Sequence, residues 1–156
     1  MRLSKQTRDS PAELRAIALN LLARREHSAL ELRHKLAQRG GTAAHIEPVL
    51  QILQAEGWQD DARFAEVYAN SRFDQGYGPL RLRRDLQERG IDNAVIAAVL
   101  APFAEHWVTR LRHLQRKRFG AIPATLAEQA RQVRFLRQRG YTMDQIMPLF
   151  KLTEIE

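Results

Sequence analysis

Arginine side chains are concentrated in the last third of the chain, at spacings that suit contact with phosphate groups. Residues 106–151 hold 10 basic and 2 acidic side chains, whereas residues 1–105 hold 15 basic and 14 acidic ones. Arg131, Arg134 and Arg137 recur one helical turn apart and would share one face of a helix. A positive helix face can bind the phosphate backbone of a nucleic acid, which supplies affinity without sequence information. It would suit an acidic protein surface equally well.

The predicted basic surface consists of two tracts on two consecutive helices. Its candidate binding residues are Arg110, Arg112, Arg116, Lys117, Arg118, Arg131, Arg134, Arg137 and Arg139. Arg81 and Arg84, earlier in the chain, are secondary candidates. Arg139 also occupies a last helical turn, where a cation favours the helix dipole by roughly 0.3–1 kcal/mol, so capping and binding have similar weight there. The excess of 21 arginines over 4 lysines fits bidentate phosphate contacts, and codon usage would explain it equally well.

Aromatic residues make up only 7% of the chain and mostly occupy the core phases of the predicted helices. Phe119 and Tyr141 are the exceptions in the basic segment. Because few rings are expected on the surface, the sequence predicts that backbone electrostatics rather than base stacking are the main source of any affinity for nucleic acid.

No arrangement of side chains in the sequence indicates catalysis or metal binding. None of the five histidines stands at zinc-helix spacing from another histidine or from a carboxylate. In the densest carboxylate group, Asp60 is interpreted as a helix cap, and Asp61 and Glu66 as solvated. The run 76–79, Gly-Tyr-Gly-Pro, lacks the Lys-Ser/Thr of a phosphate loop and predicts a turn between helices. The sequence therefore predicts a protein that is not an enzyme, with no catalytic residue, cofactor or metal.

A repeat of 50 residues defines the elements that position the arginines. Gly40, Gly90 and Gly140 each follow an arginine at the end of a predicted helix, 50 residues apart. Three isoleucines keep the same register downstream, namely Ile46, Ile96 and Ile146. A fixed period of this length is typical of a helical array, in which each unit buries its apolar face against a neighbour.

Each repeat is predicted to contain three helices. Leu14, Ile17 and Leu21 form an apolar stripe with helical spacing, and Ser28-x-x-Glu31 is a capping box that begins the next helix. The predicted fold is all-α, with three tandem three-helix repeats of 50 residues in an elongated, curved array. We assign residues 1–10 to a polar tail and the repeats to residues 11–57, 58–105 and 106–156, of which the third is strongly basic.

The composition also predicts a compartment. The chain has no cysteine, which excludes disulfides and thiolate metal sites and fits a reducing environment. Its first ten residues are polar, without the apolar segment of a signal peptide, and no stretch has the length and hydropathy of a membrane span. We therefore expect a cytoplasmic protein that does not contact a membrane.

Several motifs, in order along the chain, resemble those of one protein family. Residues 26–32 read Glu-His-Ser-Ala-Leu-Glu-Leu, residues 57–65 read Gly-Trp-Gln-Asp-Asp-Ala-Arg-Phe-Ala, and residues 134–141 read Arg-Phe-Leu-Arg-Gln-Arg-Gly-Tyr. With the turn at 76–79, this set is similar to the RecX proteins, bacterial regulators of the RecA recombinase. The resemblance extends from about residue 14 to about residue 150.

The resemblance implies a role in recombination, DNA repair and the SOS response. RecX-like proteins bind RecA and its DNA filament, restrain filament growth, ATP hydrolysis and strand exchange, and bind DNA. The expected partners are therefore RecA, the RecA–DNA filament, and single- or double-stranded DNA through backbone contacts, with the chain acting as a monomer. Two alternatives are a free-standing helical DNA-binding transcription regulator, which reads a groove, and a protein-interaction array without DNA binding.

Overall fold

The computed structural model describes residues 9–151, which form nine α-helices and one short 3₁₀-helix without any strand. The first three helices are α1 (Pro11–Arg24), α2 (Ala29–Gln38) and α3 (Ala43–Ala55). The next three are α4 (Asp61–Asp74), α5 (Pro79–Glu88) and α6 (Asn93–Leu100), followed by the 3₁₀-helix Ala101–Phe103. The last three are α7 (Trp107–Phe119), α8 (Leu126–Gln138) and α9 (Met143–Lys151). The predicted all-α fold with three helices in each repeat is confirmed; most of the predicted tail lies outside the described residues.

The described residues divide into two compact units. One unit contains residues 9–67 together with Arg89–Ile91, and the other contains residues 68–88 and 92–151. Within residues 9–151, no single helix is long and apolar enough to cross a membrane. One pair bent by 70°, Asn93–Phe103 with Trp107–Phe119, meets the length and composition criteria when taken together.

Side-chain caps begin several helices where the sequence predicts them. Ser28 Oγ accepts a hydrogen bond from Glu31 N at 3.1 Å, and Glu31 Oε1 accepts one from Ser28 N at 3.1 Å, which completes a capping box. Thr125 Oγ1 accepts from Glu128 N at 3.2 Å at the start of α8. Each such cap satisfies a backbone N–H that has no partner within its helix and is worth about 1 kcal/mol.

The core of the first unit follows the predicted apolar stripes. Its buried side chains come from all of α1, α2 and α3, and they are Leu14, Ile17, Ala18, Leu21, Leu32, Leu36, Ile46, Val49, Leu50 and Leu53. Complete burial of one leucine side chain contributes roughly 1.5–3 kcal/mol, so this cluster stabilises the unit more than its helix caps do.

A polar network in the first unit connects the start of α2, and the residue His27 just before it, with the start of α4. Asp61 Oδ1 accepts hydrogen bonds from Ala29 N at 2.9 Å and from Gln59 Nε2 at 2.9 Å. Gln59 is buried and also donates to the carbonyl of His27 at 3.2 Å. The prediction that Asp61 is merely solvated is therefore wrong, because this carboxylate holds the first turn of α2. The prediction for Asp60 is confirmed, since its Oδ1 caps Ala62 N at 2.8 Å.

In the second unit, the glycine that ends α8 makes a close backbone contact. Gly140 has a φ of 97°, and a Cβ atom at this position would clash with Cβ of Arg81 and lie 2.6 Å from its backbone nitrogen. Gly78 N donates to the Arg139 carbonyl at 2.7 Å, and Leu80 N donates to the Gly140 carbonyl at 3.0 Å. The turn at residues 76–79 is thus a docking point for the end of α8, as well as the predicted connection between helices.

Candidate nucleic-acid interface

The structure brings the two arginine tracts together at an open pocket between the end of α7 and the middle of α8. The pocket has a volume of about 320 Å³ and is lined by Arg118, Phe119, Arg131, Arg134, Phe135 and Gln138. We call these six residues the arginine–phenylalanine pocket. Arg118 comes from the first predicted tract, whereas Arg131 and Arg134 come from the second.

Two phenylalanine rings contact the guanidinium groups of two pocket residues, Arg118 and Arg131, and of Arg139, which lies outside the pocket. The rings of Phe119 and Phe135 lie perpendicular to each other, with centroids 5.4 Å apart. The guanidinium carbons of Arg118 and Arg139 lie 5.2 and 5.3 Å from the Phe135 centroid, and that of Arg131 lies 5.8 Å from the Phe119 centroid. Each such cation–π contact contributes about 0.5–1 kcal/mol at an exposed site. These contacts restrict the guanidinium groups while leaving their N–H groups available.

Most of the predicted basic residues have no carboxylate partner. Within residues 9–151, none of the following forms an ion pair: Arg112, Arg116, Lys117, Arg118, Arg131, Arg134, Arg137 and Arg139. The first unit differs, because Arg15, Arg33 and Arg63 each approach a glutamate to 2.6 Å. The charges of these eight residues on α7 and α8 are therefore not compensated by ion pairs, and such a field would favour an anionic partner.

The unpaired basic residues do not all surround the arginine–phenylalanine pocket. Arg112 and Arg116 line a second opening of about 360 Å³ with Gln115, Gly120 and Leu149, among others. Lys117 and Arg137 are exposed on α7 and α8. The structure therefore spreads the predicted residues over more than one side of this helix pair, and their contact with DNA stays a prediction.

Three other predicted residues are already engaged by their neighbours. Arg110 donates from Nε to the Phe73 carbonyl at 3.1 Å and from Nη2 to the Asp74 carbonyl, and it stacks on the Phe73 ring. Arg81 Nε lies 3.2 Å from Asp85 Oδ1, and the exposed Arg84 lies 3.9 Å from Glu88. Their charges are partly compensated, so they are weaker binding candidates than the unpaired arginines.

The structure also shows a basic cluster around Tyr77 that sequence reasoning missed. The guanidinium carbons of Arg72, Arg81 and Arg139 lie 5.4, 5.2 and 4.9 Å from the Tyr77 centroid. Arg139 stacks on both Tyr77 and Phe135, so it connects this cluster to the arginine–phenylalanine pocket. The sequence feature that could have indicated this cluster is the tyrosine within residues 76–79, a run that predicts only a turn.

The expectation for the two exceptional aromatic residues is half correct. Phe119 is partly exposed and lines the pocket. Tyr141 is a core residue with 1% exposure, so its interpretation as an exception to core packing is wrong. Burial raises the pKa of Tyr141 to about 12, although the nearby Arg110 and Arg139 act in the opposite direction. Trp107 packs edge-on against the Tyr141 ring at 6.4 Å, which places Tyr141 inside the apolar contact between α7 and the end of α8.

No metal centre is formed by the part of the chain that the structure describes. Within residues 9–151, no group of three or more histidine, aspartate or glutamate side chains could hold a metal ion. His106 and His113 instead share a shallow pocket of about 280 Å³ with Phe73, Thr109 and Arg110.

These features define an all-helical repeat protein with an uncompensated cationic surface, and comparison with known proteins places it more narrowly. Sequence models of the RecX family match in order: the first three-helix domain at residues 15–53, the second at 60–100 and the third at 105–149. The regulatory protein RecX of Halorhodospira halophila is 45% identical over 134 residues, which cover 85% of this chain and 83% of that protein. The regulatory protein RecX of Pseudomonas savastanoi pv. phaseolicola is 42% identical over 139 residues, which cover 88% of this chain and 90% of that protein. The chain belongs to the RecX family of regulatory proteins.

Solved structures agree on the fold. The crystal structure of RecX from Lactobacillus salivarius matches with a TM-score of 0.79 at 18% identity, over 94% of this chain and 97% of that one. A second crystal structure of a regulatory protein RecX matches with a TM-score of 0.75 at 21% identity, over 90% of this chain and 73% of that one. Because both identities are low, these two similarities support the helical fold alone.

Proposed function

We propose that this chain regulates the RecA recombinase by binding RecA and the RecA–DNA filament. It restrains filament growth, ATP hydrolysis and strand exchange, and so acts in recombination, DNA repair and the SOS response. The observation that carries the proposal is the ordered match of all three RecX domains across residues 15–149. A row of units can contact several successive RecA protomers, so individually weak contacts add through effective concentration.

The arginines without carboxylate partners supply the DNA contact in this proposal. Guanidinium groups bind phosphate oxygens in bidentate geometry, and cation–π contacts hold several of them in position. Such contacts are independent of base sequence, which suits a regulator that must act wherever a filament forms. The chain acts in the cytoplasm as a monomer, with its repeats at residues 11–57, 58–105 and 106–156.

Binding to the filament itself is the direct test of this proposal. RecA is assembled on single-stranded DNA with a non-hydrolysable ATP analogue, and co-sedimentation of this chain is measured. We expect saturable binding at a salt concentration that abolishes its binding to bare DNA, because RecA contacts add to the phosphate contacts. The control is the same DNA coated with a single-strand binding protein. Equal co-sedimentation of this chain with RecA-coated DNA and with DNA coated by the single-strand binding protein would contradict recognition of RecA.

A further inference from the structure

We propose that the arginine–phenylalanine pocket binds one unstacked nucleotide of a single-stranded nucleic acid, with contacts to both the phosphate and the base. This inference rests on the DNA contact in the proposed function and specifies it further. It also adds a base contact to the backbone electrostatics that the sequence predicts as the main source of affinity.

The charge of the pocket selects an anion. Arg118, Arg131 and Arg134 line it, and within residues 9–151 none of the three forms an ion pair. Three positive side chains that line one pocket repel one another, and an anion bound among them relieves this repulsion. A phosphate group meets this need, since two arginines can bind its oxygens in bidentate geometry.

The rings of the pocket also favour a ligand with a flat group that can stack, which phosphate alone lacks. Phe119 and Phe135 are partly exposed and stand perpendicular at 5.4 Å, with guanidinium groups over their faces. Nucleobases stack on aromatic rings and on guanidinium planes, so this arrangement offers stacking surfaces next to the anion site. Gln138 lines the same pocket and carries an amide that can donate to and accept from the edge of a base.

Size and accessibility restrict the occupant to an unpaired nucleotide. A volume of about 320 Å³ is at the small end of ligand pockets and open to solvent. In a duplex the base faces are stacked inside the helix, so only a single strand can present a base and its phosphate to one pocket. Arg139 contacts Phe135 and also Tyr77, so the neighbouring nucleotide would meet the Tyr77 cluster next.

The test compares a 15-nucleotide oligothymidine with an oligonucleotide of equal length and charge made entirely of abasic sites. Fluorescence anisotropy at one fixed salt concentration measures the affinity of the full chain for each. We expect about tenfold tighter binding to the strand with bases, since stacking of one base is worth about this factor. The double variant Phe119→Leu/Phe135→Leu should lose this preference, with only a small loss of affinity for the abasic strand, because its arginines remain but lose their cation–π contacts.

Two further variants separate the base contact from a change in folding. Phe119→Tyr/Phe135→Tyr retains both rings and should retain the preference. Phe73→Leu removes another phenylalanine that lies under a guanidinium group, 5.3 Å from Arg110, and should also leave the preference unchanged. Circular dichroism confirms that each variant is helical.

The outcomes distinguish failure of this inference from failure of the proposed function. Equal, salt-dependent binding of both strands by the unmodified chain would overturn the base contact and leave the DNA contact of the proposed function intact. Binding to neither strand would overturn both the base contact and the DNA contact of the proposed function. Binding to neither strand with retained RecA binding would leave only the RecA contact of the proposed function.

Discussion

Simultaneous replacement of Arg131, Arg134 and Arg137 by glutamate should weaken binding to single-stranded DNA by roughly a hundredfold at near-physiological salt. The three side chains are exposed on α8, and within residues 9–151 none forms an ion pair. About four phosphate contacts on a single strand would give a log–log salt slope near −3, and loss of three contacts would bring it towards −1. Anisotropy titrations across a salt series measure both quantities.

A charge-matched control separates local contacts from the overall field. Replacement of Arg24, Arg39 and Arg83 by glutamate changes the net charge equally, and these side chains are also exposed and without ion pairs among residues 9–151. This control should lower the affinity only slightly and leave the salt slope near that of the unmodified chain. Helical circular dichroism should be the same for both variants. An equal loss of affinity in both would refute the assignment of the DNA surface to α8.

Replacement of Gly140 by alanine should lower the free energy of unfolding by about 3 kcal/mol. A left-handed backbone conformation costs an alanine about 1–2 kcal/mol, and overpacking adds about 1–3 kcal/mol. Both costs apply here, because φ is 97° and the added Cβ would meet the Arg81 backbone nitrogen at 2.6 Å. Urea denaturation followed by circular dichroism measures the change.

Gly120 offers a matched control for this prediction. It ends α7 with a φ of 76°, and a Cβ atom at this position would have no other heavy atom within 4 Å. Gly120→Ala therefore isolates the backbone cost, and it should lower the free energy of unfolding by about 1 kcal/mol. If Gly140→Ala were no more destabilising than Gly120→Ala, the close approach of Arg81 would impose no steric cost at this position, which would contradict the prediction.

The fold was largely predictable because its signals are local. Caps such as Ser28 with Glu31 act within one helical turn, and the glycines that end helices have positive φ values for a local steric reason. These local signals recur every 50 residues, so their agreement among the three repeats strengthens the prediction for each repeat. The contact of Gly140 with Arg81 was not predictable, since it depends on how two distant turns meet.

The candidate site was less predictable because side-chain direction depends on tertiary contacts. Arg110 belongs to the basic tract in the sequence, yet carbonyl groups at the end of α4 engage it. Tyr141 lies beside the basic motif in sequence, yet it is buried in the core, where it packs against Trp107. Phe135 follows Arg134 in sequence, and only the approach of α7 shows that it pairs with Phe119.

ATP hydrolysis by RecA on single-stranded DNA tests the central claim most directly. The steady-state rate is measured with this chain absent and then added in substoichiometric amounts relative to RecA. The account predicts a large fall in the rate, since one chain that contacts successive protomers restrains more RecA than it binds. A rate that stays unchanged up to equimolar amounts, with filament binding shown in the same buffer, would contradict the claim that this chain regulates the recombinase.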